Sequence, residues 1–128
     1  MTYGFSKKVS LSFEQAIDKV TEELKKEGFG VLTSIDIQAT LKDKIGADIP
    51  RYTILGACNP RFAHQAIQTE QEIGLLLPCN VIVYEKDAAV HVSIFDPMVM
   101  ETIIGNPAMA PVAQGVQQKL RRVFDALT

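Results

Sequence analysis

A chain of 128 residues has the length of one domain, 1–128, and can bury a core without disulfide or metal staples. Its residues are 47% hydrophobic and 22% charged, the net charge is −2 and the basic residues are scattered, which excludes the electrostatic footprint of a nucleic-acid binder. The longest apolar run, Ile73 to Tyr84, is broken by Pro78 and Asn80 and falls short of the ~20 residues that span a bilayer, so no membrane role is expected.

The N-terminus, Met1 to Lys8, lacks the apolar region of a secretory signal. The expectation is a cytoplasmic protein whose two cysteines are reduced thiols.

Phe5, Lys7 and Val9 alternate with Ser6 and Lys8, which predicts a short edge strand with lysines that discourage further pairing. Ser12 and Gln15 have capping-box spacing. Phe13, Ala16, Ile17, Val20 and Leu24 then recur at helical steps up to a glycine stop at Gly28, predicting a helix over 12–27. Phe29, Val31, Thr33, Ile35 and Ile37 hold odd positions, the pattern of a strand with one face on the core. Leu41 and Ile45, four apart and followed by Gly46, allow one or two helical turns before the loop at Pro50.

Tyr52 to Cys58 is apolar on both faces and is expected to be a central strand covered on both sides. Asn59 is a good N-cap and Pro60 suits the first helical position, so a helix over 60–69 follows. Cys79 to Tyr84 repeats the two-faced apolar pattern. Glu85-Lys86-Asp87-Ala88 reads as a polar four-residue hairpin loop, and Val90, Val92 and Ile94 return on the core side with His91 and Ser93 opposite. Asp96-Pro97 opens a short helix stopped by Gly105, and Val112, Val116, Leu120, Val123, Phe124 and Leu127 make the stripe of a last helix after Pro111.

The order of elements predicts an α+β fold around one sheet of about five strands. The helices over 12–27 and 111–127 cover one face. The other face needs the short helices or a second subunit, which is the reason to expect a homodimer.

Gly56-Ala57-Cys58-Asn59-Pro60, then Gly74-Leu75-Leu76-Leu77-Pro78-Cys79-Asn80-Val81, with Gly28-Phe29-Gly30-Val31-Leu32 upstream and Asp96-Pro97 downstream, resembles the domain-of-unknown-function-302 family (DUF302) over nearly the whole chain. The resemblance implies a TBP-like α+β fold, strand-helix-four strands-helix with additional short helices, a mostly antiparallel sheet with helices packed on one face, and a homodimer. It implies no established activity, and no catalytic residue is carried over.

Chemistry, if there is any, belongs to the two cysteine motifs. Cys58 precedes a helix cap, where unpaired N–H groups favour a thiolate, but the favoured reading is a small buried apolar residue at a strand end. If the strands ending at Cys58 and starting at Cys79 are antiparallel neighbours, as the family fold implies, both thiols lie at one end of the sheet. If a parallel crossover joins them, they lie at opposite ends. Asn59 and Asn80 supply amide groups for a small polar or anionic ligand, while Asn59 also serves as a cap. A metal site lacks CxxC spacing and needs His64 or a residue from the second subunit to complete it. His91 and Ser93 have no third partner for a triad. The expectation is a small-ligand-binding or accessory protein with its site at Cys58, Asn59, Cys79, Asn80 and His64. The alternative is a thiol-dependent redox protein or enzyme that uses Cys58, or a metal-binding protein. The sequence identifies no cofactor.

Overall fold

The computed structural model describes residues 1–128. Its elements are, in order, β1 (Gly4–Val9), α1 (Phe13–Lys26), β2 (Gly30–Asp36), α2 (Ile37–Ile45), β3 (Tyr52–Cys58), α3 (Pro60–Thr69), β4 (Cys79–Lys86), β5 (Ala89–Phe95), α4 (Met98–Ile104) and α5 (Ala110–Asp125). Short 3-10 turns at Gln71–Leu76 and Pro107–Met109 complete the chain.

The capping signals act where the sequence places them. Ser12 Oγ accepts from the Gln15 N–H at 3.1 Å, and Gln15 Oε1 accepts from the Ser12 N–H at 3.0 Å, so two orphan donors of α1 are satisfied reciprocally. The helix ends in a Schellman arrangement, with the Phe29 N–H on the Leu24 carbonyl at 2.9 Å and the Gly28 N–H on that of Lys25 at 3.1 Å.

The strands form one fully antiparallel sheet in the order β1-β5-β4-β3-β2. Phe13, Ala16, Val20 and Leu24 of α1 and Val116, Leu120 and Val123 of α5 pack onto Leu55, Ala57, Val81, Val83, Val92 and Ile94 of the sheet. Each Leu, Val or Ile removed from water here contributes about 1.5–3 kcal/mol. A smaller cluster of Ala66, Ile73, Met100 and Met109 continues this core beyond the sheet end.

Four expectations are corrected. β2 does not lay a face on the core: of its residues only Val31 is even half-buried, because β2 is an edge strand and a bulge between Val31 and Thr33 breaks its alternation. α2 starts at Ile37, earlier than expected, because Asp36 Oδ1 caps it by accepting from the Ala39 N–H at 2.9 Å. The hairpin loop is two residues long, since β4 and β5 pair as far as Lys86 and Ala89 and the turn is made by Asp87 and Ala88, both at positive φ. β3 is interior to the sheet but is covered by helices on one face only. On the other face Tyr52, Ile54, Ile82 and Tyr84 stand half-buried with no long helix above them.

Candidate functional site

The register settles how the two cysteine motifs meet. β3 and β4 are antiparallel neighbours in which Ala57 stands opposite Cys79, so Cys58 and Cys79 share one end of the sheet. Both are free thiols, Cys58 half-buried and Cys79 buried. By strand alternation Ala57 and Cys79 point toward the helices, and Cys58 and Gly56 begin the opposite face. At the sheet end both sets reach a single cavity.

That cavity has a volume of ≈380 Å³. Its walls come from the start of β2 (Phe29, Leu32, Thr33), the β3–α3 junction (Ala57, Cys58, Asn59), α3 (Phe62, Ala63, Ala66, Ile67), the entry to β4 (Gly74, Leu77, Pro78, Cys79), α4 (Met100) and α5 (Val112, Val116). Thirteen of the seventeen wall residues are hydrophobic and none is an acid or a base apart from the thiols, so the space accepts apolar matter and repels an unpaired charge.

The sequence makes this hollow with small side chains. Ala57, Ala63 and Ala66 face inward where larger residues would fill the gap. Gly56 lets two groups close over it: a Cβ there would collide with Thr33 Oγ1 and meet Pro78 Cγ at 2.8 Å. Gly115 of α5 seats the Phe62 ring, whose Cε1 lies 2.6 Å from where a Cβ would stand.

Burial, and after it the neighbouring Cys58, pushes the Cys79 thiol up to about 11, so it is a neutral wall group at ordinary pH. The Asn59 side chain is spent on structure: Oδ1 accepts from the Phe62 N–H at 3.4 Å, capping α3, and Nδ2 donates to the Glu27 carbonyl at 3.2 Å, tying α3 to the end of α1. The structure brings together Cys58, Asn59 and Cys79 in this cavity but not the other two expected residues. Asn80 lies one step along β4, on the opposite face, where it lines a separate cavity of ≈430 Å³ with Tyr52, Ile82 and Tyr84. His64 is exposed on α3 and belongs to neither cavity wall. No three His, Cys, Asp or Glu side chains gather where a metal ion could be held. His91 stacks on Tyr84 at 5.1 Å between ring centroids, and Ser93 Oγ donates to Ser6 Oγ at 2.7 Å.

Sequence reasoning missed Phe29, Phe62, Met100, Val112 and Val116 as site residues, since each reads as ordinary core on its own element. The signal that carries information is the run of alanines on packed faces beside the cysteine motif.

No helix is long and apolar enough to cross a membrane. No curated protein is significantly similar to the chain. The crystal structure of an uncharacterized conserved DUF302 protein from Bacillus stearothermophilus matches it with a TM-score of 0.93 over 100% of both chains, at 26% sequence identity. The model of the family described as "Domain of unknown function DUF302" matches residues 5–127, and the chain therefore belongs to the DUF302 family.

Proposed function

We propose that the protein binds a small, uncharged, apolar molecule in the cavity at the Cys58/Cys79 end of the sheet. The observation that carries this reading is the ≈380 Å³ hollow with no acidic or basic wall residue, a volume within the usual range of ligand sites. The asparagines suggested a polar or anionic ligand, but the Asn59 amide is engaged by the backbone and Asn80 is on the other face, so the support goes to an apolar one. Two unlinked thiols beside one cavity suit a reducing compartment such as the cytoplasm. The experiment is titration with the neutral fluorophore N-phenyl-1-naphthylamine, whose emission rises in apolar surroundings. Saturable enhancement that is lost in Ala63→Trp, a variant that fills the hollow, supports the reading. No enhancement, or the same enhancement in both proteins, contradicts it.

A second observation supports self-association. The register aligns Ile35, Ile54 and Ile82 across the open face, and beside them Tyr52, Tyr84 and His91, with Tyr52 and Tyr84 stacked at 5.7 Å. None of these six carries a carboxylate or an ammonium group; the lysines of this face, Lys8 beside His91 on the edge strand β1 and Lys86 at the end of β4, stand at its border. Five strands at about 4.8 Å outline a face about 24 Å by 20 Å, within a factor of two of the ~800 Å² that each partner buries in a standard interface. We infer that the open faces of two copies pack against each other about a two-fold axis. Sedimentation velocity tests this: a dimer that Ile54→Lys converts to a monomer supports it, and a wild-type monomer at ~100 µM, far above the dissociation constants of stable complexes, contradicts it.

A further inference from the structure

Exposed leucines are common and by themselves mean little. Leu32 differs in three respects. It is 68% exposed and yet is a wall residue of the apolar cavity, which places it at the rim. It is the bulge residue: Val31 pairs with Ala57 and Thr33 with Gly56, leaving Leu32 with no partner between them. The same wall includes a second exposed apolar residue, Ile67 of α3, at 39%.

The cause of the bulge is visible in the ladder. Gly56 has no side chain, and Thr33 Oγ1 occupies the space a Cβ would need. Seating Thr33 on Gly56 advances β2 by one residue and leaves Leu32 outside the pairing. Bulges re-aim a side chain in this way and are frequent beside functional sites. Leu32 lies where the ladder of an edge strand is locally disrupted, and with 68% of its surface exposed its side chain packs little against its neighbours, so it moves at low cost.

We propose that Leu32 is the gate of this cavity, closing with Ile67 over a bound apolar ligand and retarding its escape. The gate rests on the cavity being a binding site. In the empty protein both side chains meet water, and a ligand gives them an apolar surface to cover. The gain is present in the bound state and absent from the free one, so it appears in the dissociation rate. It also sets a length limit, because a ligand that protrudes past the rim holds the gate open.

The test is stopped-flow dissociation of N-phenyl-1-naphthylamine from the wild-type protein and from Leu32→Ala, Leu32→Met, Ile67→Ala and Ile45→Ala. Ile45 of α2 is 74% exposed but is not in the cavity wall. Leu32→Ala and Ile67→Ala are expected to release the probe about tenfold faster, the effect of uncovering part of one aliphatic side chain. Leu32→Met restores the wild-type rate, and Ile45→Ala does not change it. Wild-type dissociation from Leu32→Ala, in a protein whose probe binding is abolished by Ala63→Trp, overturns the gate and leaves the cavity reading standing. Failure of the wild-type protein to bind the probe overturns both.

Discussion

Ala57 stands directly across from Cys79 in the ladder between β3 and β4, and this single register brings the two cysteine motifs to one end of the sheet. Their environments nevertheless differ. Cys58 is half-buried at the strand end, and Cys79 is 5% exposed beneath the helices. Iodoacetamide labelling of the native protein, read by peptide mass spectrometry, is expected to modify Cys58 and spare Cys79 until the protein unfolds. Equal labelling of both under native conditions contradicts this. A Cys58 that reacts faster than a free thiol at neutral pH favours the thiol-dependent redox alternative.

Cys79 also links stability to pH. Burial first, and Cys58 second, raise its thiol from 9.0 to about 11, so the folded state holds the proton more tightly than the unfolded chain does. The stabilisation is fully present below pH 9 and is lost as the pH rises from 9 to 11. A rise of that size corresponds to about 3 kcal/mol. Urea denaturation at pH 8 and pH 11 should show that the wild-type protein loses more stability over this interval than Cys79→Val, which has nothing to ionise there. Equal losses contradict the assignment.

Gly56 is a packing position. In Gly56→Ala the new Cβ collides with Thr33 Oγ1 and Pro78 Cγ, and the Pro78 ring has no rotamer by which to move away. The expected cost is about 1–3 kcal/mol, the range for overpacking, read as a lower melting temperature. An unchanged melting temperature contradicts the close approach.

Asn59 is a structural residue in this account. Asn59→Ala removes the cap on α3 and the bond to the Glu27 carbonyl, and should cost about 1–2 kcal/mol in chemical denaturation. Probe affinity in the folded fraction should change less than twofold. Loss of affinity without loss of stability would instead make the amide a ligand contact.

Much of this architecture was legible because the local signals are strong and mutually consistent. The capping box at Ser12 and Gln15, the Asn59-Pro60 helix start and the alternation of Val90, Val92 and Ile94 each act within a few residues. What escaped depends on neighbours far along the chain. The bulge at Leu32 exists because Gly56 accepts Thr33, and period-two reading of β2 cannot detect a break imposed by its partner strand. The two-residue hairpin places Asp87 and Ala88 at positive φ, a conformation that alanine does not advertise. The candidate site was legible only in part. Proline and cysteine pointed to the sheet end where the cavity lies, but parity puts Asn80 on the other face, and the hollow itself is a gap among side chains from separate elements.

An apolar ligand site at the Cys58/Cys79 sheet end is open to methyl NMR during titration with indole, a small uncharged probe. Saturable shifts are expected at Ala57, Ala63, Ala66, Met100, Val112 and Val116, with Ile54 and Ile82 on the open face unmoved. Shifts confined to Ile54 and Ile82, or no saturable shift at any methyl group, would contradict it.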